Sequence, residues 1–302
     1  MSLARLVQRR LIIVTGKGGV GKTTLTAALA RHYAESRRRV LAAEIVPTAE
    51  TPSQLAIALG VRGLTEEPQR IAPNLSAVLV TPTAGHHRFL QASLPIKLLA
   101  DTAMRSQALR KFLSAAPGFS DMGVMYRMLD LLRLPNPAGG HAYEIVLLDS
   151  PATGHALALA QIPEFLIRVI PAGPIRRVAE EGLAVLTDPR ITGTLIVTLP
   201  ELLPVTEALE LQEGLTKHRL PVSAIVVNRV PNDPFSKEER AAVSEVLSAQ
   251  GGLVLGAREL RRIERAQAAL AVLRERATAD HVVLSEVEGA GSHATLALLP
   301  AL

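Results

Sequence analysis

A glycine-rich loop between an apolar run and a helical pattern is the feature that most constrains how this chain can fold. Residues 10–15 are typical of a buried strand, residues 16–24 read GKGGVGKTT, and residues 22–36 repeat apolar side chains at helical spacing. The pattern Gly-x-x-x-x-Gly-Lys-Thr therefore has the strand before it and the helix after it that a Walker A motif requires. The alternative is a turn that matches the pattern by chance, and the flanking elements speak against it.

The residue types in this loop suit a phosphate group. Glycines let backbone N–H groups approach phosphate oxygens closely, and the N-terminus of the following helix adds positive potential. Lys22 is in the position that reaches the β- and γ-phosphates of a nucleotide, and the Thr23 hydroxyl is in the position that ligates Mg²⁺. Lys17 has no role in this motif, although only six of the 33 basic residues are lysines and two of those six lie in this loop.

The nine residues GKGGVGKTT resemble the loop of the deviant Walker A family, which includes MinD, ParA, the nitrogenase iron proteins and the ArsA-type ATPases. In that family the first lysine is a signature residue that reaches the phosphates held by a partner subunit in a nucleotide-sandwich dimer. The resemblance implies that Lys22 acts on its own ATP, that Lys17 acts on the partner's ATP, and that the protein is a homodimer across the nucleotide. It also implies ATP and Mg²⁺ as cofactors. The nucleotide-binding residues that it implies in the loop are Gly16, Lys17, Gly18, Gly19, Val20, Gly21, Lys22, Thr23 and Thr24.

A second motif resembles one branch of this family. The predicted strand 143–149 ends in Asp149, and Asp149-Ser150-Pro151-Ala152-Thr153-Gly154-His155 resembles the Asp-Thr-Ala-Pro-Thr-Gly-His motif of the ArsA and tail-anchored-protein-targeting branch. MinD and ParA proteins lack the Thr-Gly-His ending. An acid at the tip of a buried strand is the expected Mg²⁺ partner and γ-phosphate sensor, so Asp149 is predicted to be catalytic and, with Thr23, a metal ligand. Within this motif, His155 is interpreted as part of a switch segment.

Two further matches extend the resemblance to about residue 235. Ala116-Pro117-Gly118, before a predicted helix, resembles a Pro-Gly segment near the nucleotide switch of the family. Asn228 ends the predicted strand 222–228 and takes the place of the family asparagine that hydrogen-bonds adenine. An amide suits that task because it is both a donor and an acceptor. By itself, an Asn at a strand end is more often a turn former.

The second predicted strand departs from the family pattern. In ArsA-type proteins this region usually reads Ser-Thr-Asp-Pro-Ala-His and its Asp polarises the attacking water; aligned on Pro47, Val46 takes that position here. Glu44 lies two residues earlier, on the same face of the strand because strand side chains alternate. We predict that Glu44 is a catalytic residue that orients the nucleophile, or a Mg²⁺ ligand through water, with Glu50 as a weaker candidate. If neither acts, the protein would be a slow switch held by its nucleotide.

Strand-like runs and helical patterns alternate along the chain, which indicates an α/β fold with a mainly parallel central sheet and helices on both faces. Together with the loop, this predicts a P-loop NTPase with a three-layer architecture of the SIMIBI type. Residues 1–302 are predicted to form a single domain, in which the helical segments 83–134 and 154–187 are inserted between core strands. The predicted strands are about 10–15, 39–46, 75–81, 143–149, 192–198 and 222–228, and the predicted helices are 22–36, 50–60, 85–116, 121–134, 154–187, 203–218, 236–248 and 257–276.

Composition excludes several kinds of site. The chain has no Cys, which excludes disulfides, thiolate zinc sites, iron–sulfur clusters and arsenite binding by thiolates, so no zinc is expected. His86 and His87 have no evident further ligands and are interpreted as surface residues. The net charge is +5, but aromatic residues are only 3% and the arginines of 258–265 alternate with acids, so a nucleic-acid partner is not expected.

The sequence also has no run of about 18 apolar residues and no apolar core of a signal peptide, so a cytoplasmic protein is expected. The predicted function is a Mg²⁺-dependent ATPase of the ArsA type, switched through residues 44–52 and 149–156 and coupled to an unidentified client or membrane partner. One alternative is a positioning ATPase of the MinD/ParA type; the terminal sequence SHATLALLPAL has no basic residue, which speaks against the MinD version. The other is a slow or non-catalytic nucleotide-binding scaffold.

Overall fold

The computed structural model describes residues 9–93, 118–151, 154–249, 256–287 and 289–298, in which strands and helices alternate. The strands are β1 (Leu11–Gly16), β2 (Val40–Ile45), β3 (Gln69–Ala72), β4 (Leu75–Val80), β5 (Ile145–Asp149), β6 (Thr192–Thr198), β7 (Val222–Val230) and β8 (His281–Ser285). The helices are α1 (Lys22–Glu35), α2 (Gln54–Leu59), α3 (Pro82–Ser93), α4 (Phe119–Arg133), α5 (Gly154–Val169), α6 (Pro174–Thr187), α7 (Leu202–Lys217), α8 (Lys237–Ala249), α9 (Ala257–Arg276) and α10 (Ser292–Leu298).

The described strands form one twisted layer of eight, in the order β3-β4-β2-β5-β1-β6-β7-β8. Every neighbouring pair is parallel except β3 with β4, which is antiparallel. Parallel strands bring their carboxyl ends to one edge of the sheet, where ligands of such folds bind. The ends of β1, β2, β5 and β7 therefore carry Gly16, Glu44, Asp149 and Asn228 to the same edge.

Helices cover both faces of this sheet, which is why the central strand β1 is buried over its whole length. Ile12 and Val14 pack on one face against α1, α2 and α10, while Leu11 and Ile13 pack on the other against α3, α4, α5 and α6. Farther along the second face, α7 and α9 cover β6 and β7. The predicted α/β class, the mainly parallel sheet and the helices on both faces are confirmed.

All six predicted strands are present, with ends that differ by at most two residues. Two strands were missed. β3 is a half-exposed antiparallel edge strand without an apolar run. β8 lies at the opposite edge of the sheet, and its apolar run was too short to be assigned as a strand. The predicted helix 154–187 is two helices, α5 and α6, because Pro171 and Gly173, with φ +111°, interrupt it.

The two predicted helical segments lie between core strands. Helices α3 and α4 follow β4 and precede β5, and helices α5 and α6 follow β5 and precede β6. The predicted helix 85–116 begins at Pro82 and is described to Ser93, and the rest of its range lies outside the described residues. The assignment of 1–302 to a single domain stays a prediction. Across the described part of the chain, none of the helices has the length and apolar content to cross a bilayer.

Candidate active site

At two positions of the loop after β1, both the backbone conformation and the available space require glycine. Gly16 has φ +142°, and a Cβ there would overlap the carbonyl oxygen of Val197 on the neighbouring strand β6. Gly21 has φ +97°, caps the N-terminus of α1, and would overlap the side chain of Asn228. At Gly18, by contrast, a Cβ would meet no heavy atom within 4 Å, so the middle of the loop borders open space. The loop therefore forms a concave backbone surface of the kind that surrounds phosphates.

Lys22 begins helix α1 inside this loop. Its side chain is largely buried, and its Nζ atom donates a hydrogen bond of 2.8 Å to the backbone carbonyl of Lys17. Burial lowers the pKa of Lys22 below its usual value, and the nearby carboxylate of Asp149 opposes this shift. The ammonium group is thus held against the loop's own carbonyl, where an incoming phosphate can replace that acceptor.

Thr23 and Asp149 meet at the carboxyl ends of β1 and β5. The Thr23 hydroxyl donates a 2.6 Å hydrogen bond to Oδ2 of Asp149, which is only 4% exposed. The pKa of Asp149 is raised to about 7, chiefly by burial and also by the charge of Glu44, whereas the Thr23 hydroxyl, Lys22 and Thr26 oppose the shift. The other oxygen, Oδ1, is buried and has no hydrogen-bond partner among the described residues. A hydroxyl beside a carboxylate with one unpaired oxygen fits a Mg²⁺ ion, which prefers oxygen ligands and retains waters.

Glu44 ends up beside Asp149 because β2 and β5 pair in register at these two residues. Its carboxylate caps helix α2: Oε2 accepts hydrogen bonds from the Ser53 hydroxyl (2.5 Å) and the Leu55 N–H (3.3 Å), and Oε1 accepts one from the Gln54 N–H (3.0 Å). An anion is favoured there because the first N–H groups of a helix have no partner within it. The predicted role in orienting water or Mg²⁺ therefore requires Glu44 to leave α2 or to share its oxygens.

A cavity of about 650 Å³ lies between the loop, the end of β2 and the start of α4. Its volume is in the range of small-molecule sites. Val46 contributes an apolar wall, while Glu50 is exposed and is not part of the lining. The polar residues that line the cavity are Lys22, Thr23, Glu44, Thr51, Gln54, Ser120, Asp121, Asp149 and Ser150. A second cavity of about 310 Å³ on the other side of the loop includes Gly19, Gly21 and Thr24.

Lys17 lies apart from both cavities. Its Nζ atom forms an ion pair of 2.7 Å with Oε1 of Glu207 on α7, and its side chain is 48% exposed. Glu207 lies 190 residues away in the sequence, and no local pattern marks it as a partner of the loop.

The side chain of Asn228, at the end of β7, supports the glycine-rich loop through a hydrogen bond. Its Nδ2 group donates a 2.9 Å hydrogen bond to the carbonyl of Val20, and its Oδ1 atom accepts one of 3.0 Å from the N–H of Arg229. The side chain is nearly fully buried. This contact explains why Gly21 has no room for a Cβ, whereas the predicted hydrogen bond from Asn228 to adenine stays a prediction.

The interpretation of His86 as a surface residue is wrong. His86 is buried on α3, its Nε2 atom lies 2.7 Å from the carbonyl oxygen of Phe119, and the two rings are 4.7 Å apart. It therefore joins α3 to the start of α4, whereas His87 is partly exposed. Within the described residues, no cluster of three or more His, Asp or Glu side chains could hold a metal ion.

Parts of two sequence motifs lie outside the described residues. They are Ala116 and Pro117 of the Pro-Gly segment, and Ala152, Thr153 and the side chain of His155 in the second motif. Gly118 is described: it caps α4 with φ +79°. The Ser53 cap of α2 was missed, although a Ser before an apolar helical run is a recognisable start signal.

Comparisons with known proteins agree with this geometry. The sequence model of the family described as anion-transporting ATPases matches residues 9–173. The ATPase BagA of Mycobacterium tuberculosis is 29% identical over 237 residues, which are 75% of this chain and 66% of that protein. An ATPase ASNA1 homolog of Cryptosporidium parvum is 26% identical over 261 residues, covering 76% of this chain and 67% of that protein. An arsenical pump-driving ATPase of Acidiphilium multivorum is 25% identical over 254 residues, covering 77% of this chain and 41% of that protein.

Proposed function

This chain belongs to the family of anion-transporting ATPases, and on that premise we propose that it binds ATP with Mg²⁺ and hydrolyses it. The chain spans 66% of the mycobacterial relative, so its own activity is proposed from its site. The observation that carries the proposal is the contact between the Thr23 hydroxyl and Asp149, 2.6 Å apart, in the same cavity as Lys22.

Each residue of the site has a separate task in this proposal. Backbone N–H groups of the loop and the Nζ atom of Lys22 bind the phosphates, Lys22 by giving up the carbonyl of Lys17. Thr23 and Asp149 would hold the Mg²⁺ ion through the hydroxyl and the carboxylate. A bound Mg²⁺ would supply positive charge to the β- and γ-phosphates. Because Asp149 is buried, water would screen the attraction between its carboxylate and the Mg²⁺ ion less than at the surface.

Glu44 is proposed to connect the nucleotide to helix α2. When its carboxylate turns toward the cavity to orient the attacking water, the N-terminus of α2 loses its anionic cap. The state of the nucleotide would then be sensed as a movement of residues 44–52. A segment with two alternative sets of hydrogen bonds is what such a switch requires.

We propose that the protein works as a homodimer that encloses ATP, with Lys17 acting on the phosphates of the partner. The exposure of Lys17, and its position outside the cavities of its own loop, support a role in trans. By analogy with its relatives, the cycle would be coupled to a client or a membrane partner. Since the chain has no Cys, a client that must be bound by thiolates does not suit it. Because the reaction consumes ATP, we propose the cytoplasm as its location.

A slow or non-catalytic nucleotide switch is the second candidate function, and one observation favours it. Val46 stands where relatives of the ArsA type carry an acid, and the carboxylate of Glu44 is already bound by three donors of α2. If Glu44 never leaves α2, the attacking water has no nearby base. The protein would then bind ATP with little turnover.

The test of both candidates is to measure ATP binding by calorimetry and phosphate release across a range of protein concentrations, with and without Mg²⁺. The wild type is compared with Lys22→Ala and with Lys217→Ala, a matched control at an exposed lysine of α7. An ATPase requires Mg²⁺-dependent phosphate release that Lys22→Ala abolishes and Lys217→Ala retains. Binding without release favours the nucleotide switch, and absence of both contradicts the two candidates together.

A further inference from the structure

Another cavity, similar in size to the one that Lys22 lines, lies at the edge of the sheet where the parallel strands end, beyond β6, β7 and β8. Its volume is about 690 Å³, and four arginines line it: Arg229 near the end of β7, and Arg258, Arg262 and Arg265 on α9. The exposed side chains of Leu202 and Leu203, at the start of α7, form part of its wall. None of its described lining residues lines either cavity at the nucleotide loop.

The arginines of this cavity are incompletely neutralised. Arg262 pairs with Glu286 (2.6 Å) and with Glu259 (3.3 Å). Arg229, Arg258 and Arg265 form no ion pair with any described residue, and Glu201 and Glu286 are the acids among the described lining residues. Four cations therefore face two anions, and one of those anions is already used by Arg262.

The arrangement of the arginines favours an anion with more than one charged group. Arg258, Arg262 and Arg265 are four and three residues apart, so they share one face of α9. Arg258 and Arg265 are separated by seven residues, or about 10 Å along the helix axis. Arg229 reaches the cavity from the end of β7 and has a left-handed backbone conformation with φ +57°. The preceding residue, Asn228, instead bonds to the glycine-rich loop.

We propose that this cavity binds a multivalent small anion, with phosphate or carboxylate groups, at a site separate from the nucleotide. Guanidinium groups match both kinds of oxyanion with paired N–H donors. Leu202 and Leu203 add an apolar part to the wall, and both side chains stay exposed. No aromatic side chain is present among the described lining residues, which disfavours single-stranded nucleic acid, because its bases need stacking partners.

The experiment is a calorimetric titration of the full chain carrying Lys22→Ala, in which the nucleotide loop has lost its main phosphate-binding charge. Inorganic pyrophosphate and citrate are the two probes, both without Mg²⁺ at low ionic strength. Saturable binding of pyrophosphate alone identifies a phosphate ligand, and binding of citrate alone identifies a carboxylate ligand. Absence of saturable binding of both probes, up to about 10 mM, overturns the proposal, because a cavity with three arginines that form no ion pair is expected to bind such an anion at lower concentration.

Two arginine variants in the same background locate the binding. Arg258→Gln with Arg265→Gln removes two charges from the cavity wall and is expected to weaken binding by about tenfold or more. Arg261→Gln is the matched control, since Arg261 is exposed on α9, bonds to the carbonyl of Ala257 and does not line the cavity. Equal affinity in the double variant and the control overturns the assignment. The outcome is independent of ATP hydrolysis, because no readout uses turnover.

Discussion

The Nζ atom of Lys17 lies 2.7 Å from Oε1 of Glu207 on helix α7, while Lys22, in the same loop, donates to the carbonyl of Lys17. The two lysines of one glycine-rich loop therefore point to different partners. Lys22 is bonded to the backbone of its own loop, and Lys17 is paired with an acid on a neighbouring helix. Because the Lys17–Glu207 pair is partly exposed to water, it contributes about 1 kcal/mol or less, and a partner's triphosphate could displace Glu207.

The two lysines are expected to differ when each is replaced by alanine. Lys22→Ala should abolish ATP binding, since the loop loses its main charge toward the β- and γ-phosphates. Lys17→Ala should keep the affinity of the monomer for ATP but remove the turnover that rises with protein concentration. Calorimetry for binding, with phosphate release and light scattering at several protein concentrations, measures both effects. An equal loss of affinity in the two variants contradicts a role of Lys17 in trans.

Glu207→Gln should release Lys17 without disturbing the fold. If the ion pair holds Lys17 on its own chain, the ATP-bound dimer should form at lower protein concentration, by up to about fivefold for a pair of this exposure. Analytical ultracentrifugation with ATP and Mg²⁺ measures this shift. Glu210→Gln, at an exposed acid on the same helix, is the control. A dimer that becomes weaker in Glu207→Gln alone would mean that Glu207 belongs to the closed state instead.

Replacing Glu44 and Ser53 separates a cap from a catalytic role. Both Glu44→Gln and Ser53→Ala weaken the N-terminus of α2, and each should lower the free energy of unfolding by about 1–2 kcal/mol. Only Glu44→Gln removes the carboxylate, so it alone should slow ATP hydrolysis, by about 100-fold if Glu44 orients the water. Urea unfolding and single-turnover kinetics measure the two effects. The same rate loss in both variants would show that Glu44 acts only through α2.

The buried carboxyl of Asp149 should make both stability and metal binding depend on pH. Its pKa is raised to about 7 in the folded chain, from an ordinary value of 3.8, so between these values the folded state holds a proton that the unfolded state has lost. The free energy of unfolding should therefore fall as pH rises through this window, by up to about 1.4 kcal/mol per unit, and level off above pH 7. Asp149→Asn should abolish this slope in denaturant titrations.

Mg²⁺ needs the ionised carboxylate, so its affinity should change in the opposite direction. In the presence of ATP, the Mg²⁺ affinity of the wild type should rise with pH up to about 7, where the carboxyl ionises. Calorimetric titration with Mg²⁺ at pH 5.5 and 8 measures this. A pH-independent affinity would contradict the assignment of Asp149 as a ligand.

The sequence predicted the parts of this molecule that depend on local patterns. The strands β1, β2 and β5 are buried throughout and mostly apolar because both of their faces are covered, and such runs are recognisable. β3 was not predicted because it lies half-exposed at an edge of the sheet. Its residues are not fully buried and therefore need not form an apolar run. The loop and Asp149 could be proposed as site residues because each lies in a motif of contiguous residues, and their roles stay predictions.

The contacts between distant parts of the chain could not be predicted in this way. Glu44 was placed correctly at the strand end, but its bond to the N-terminus of α2 depends on how residues 46–53 fold back. The pairing of Lys17 with Glu207 depends on the packing of α7 on β6 and β7, which no local pattern predicts. His86 seemed a surface residue because two adjacent histidines on a helix carry no signal of which one faces inward.

Asn228→Ala tests whether this amide braces the loop, reads the base, or does both. The variant leaves the buried carbonyl of Val20 without its donor, so the loop should lose affinity for any triphosphate by about 1 kcal/mol, or about fivefold. If the amide also contacts adenine, the affinity for ATP should fall further than the affinity for inorganic tripolyphosphate, which has no base. We expect both affinities to fall, and that of ATP to fall more, in parallel calorimetric titrations of the wild type and the variant. An equal loss for the two ligands contradicts the base contact, and a loss for ATP alone contradicts the brace, because only a loop that keeps its shape without Asn228 would bind tripolyphosphate as before.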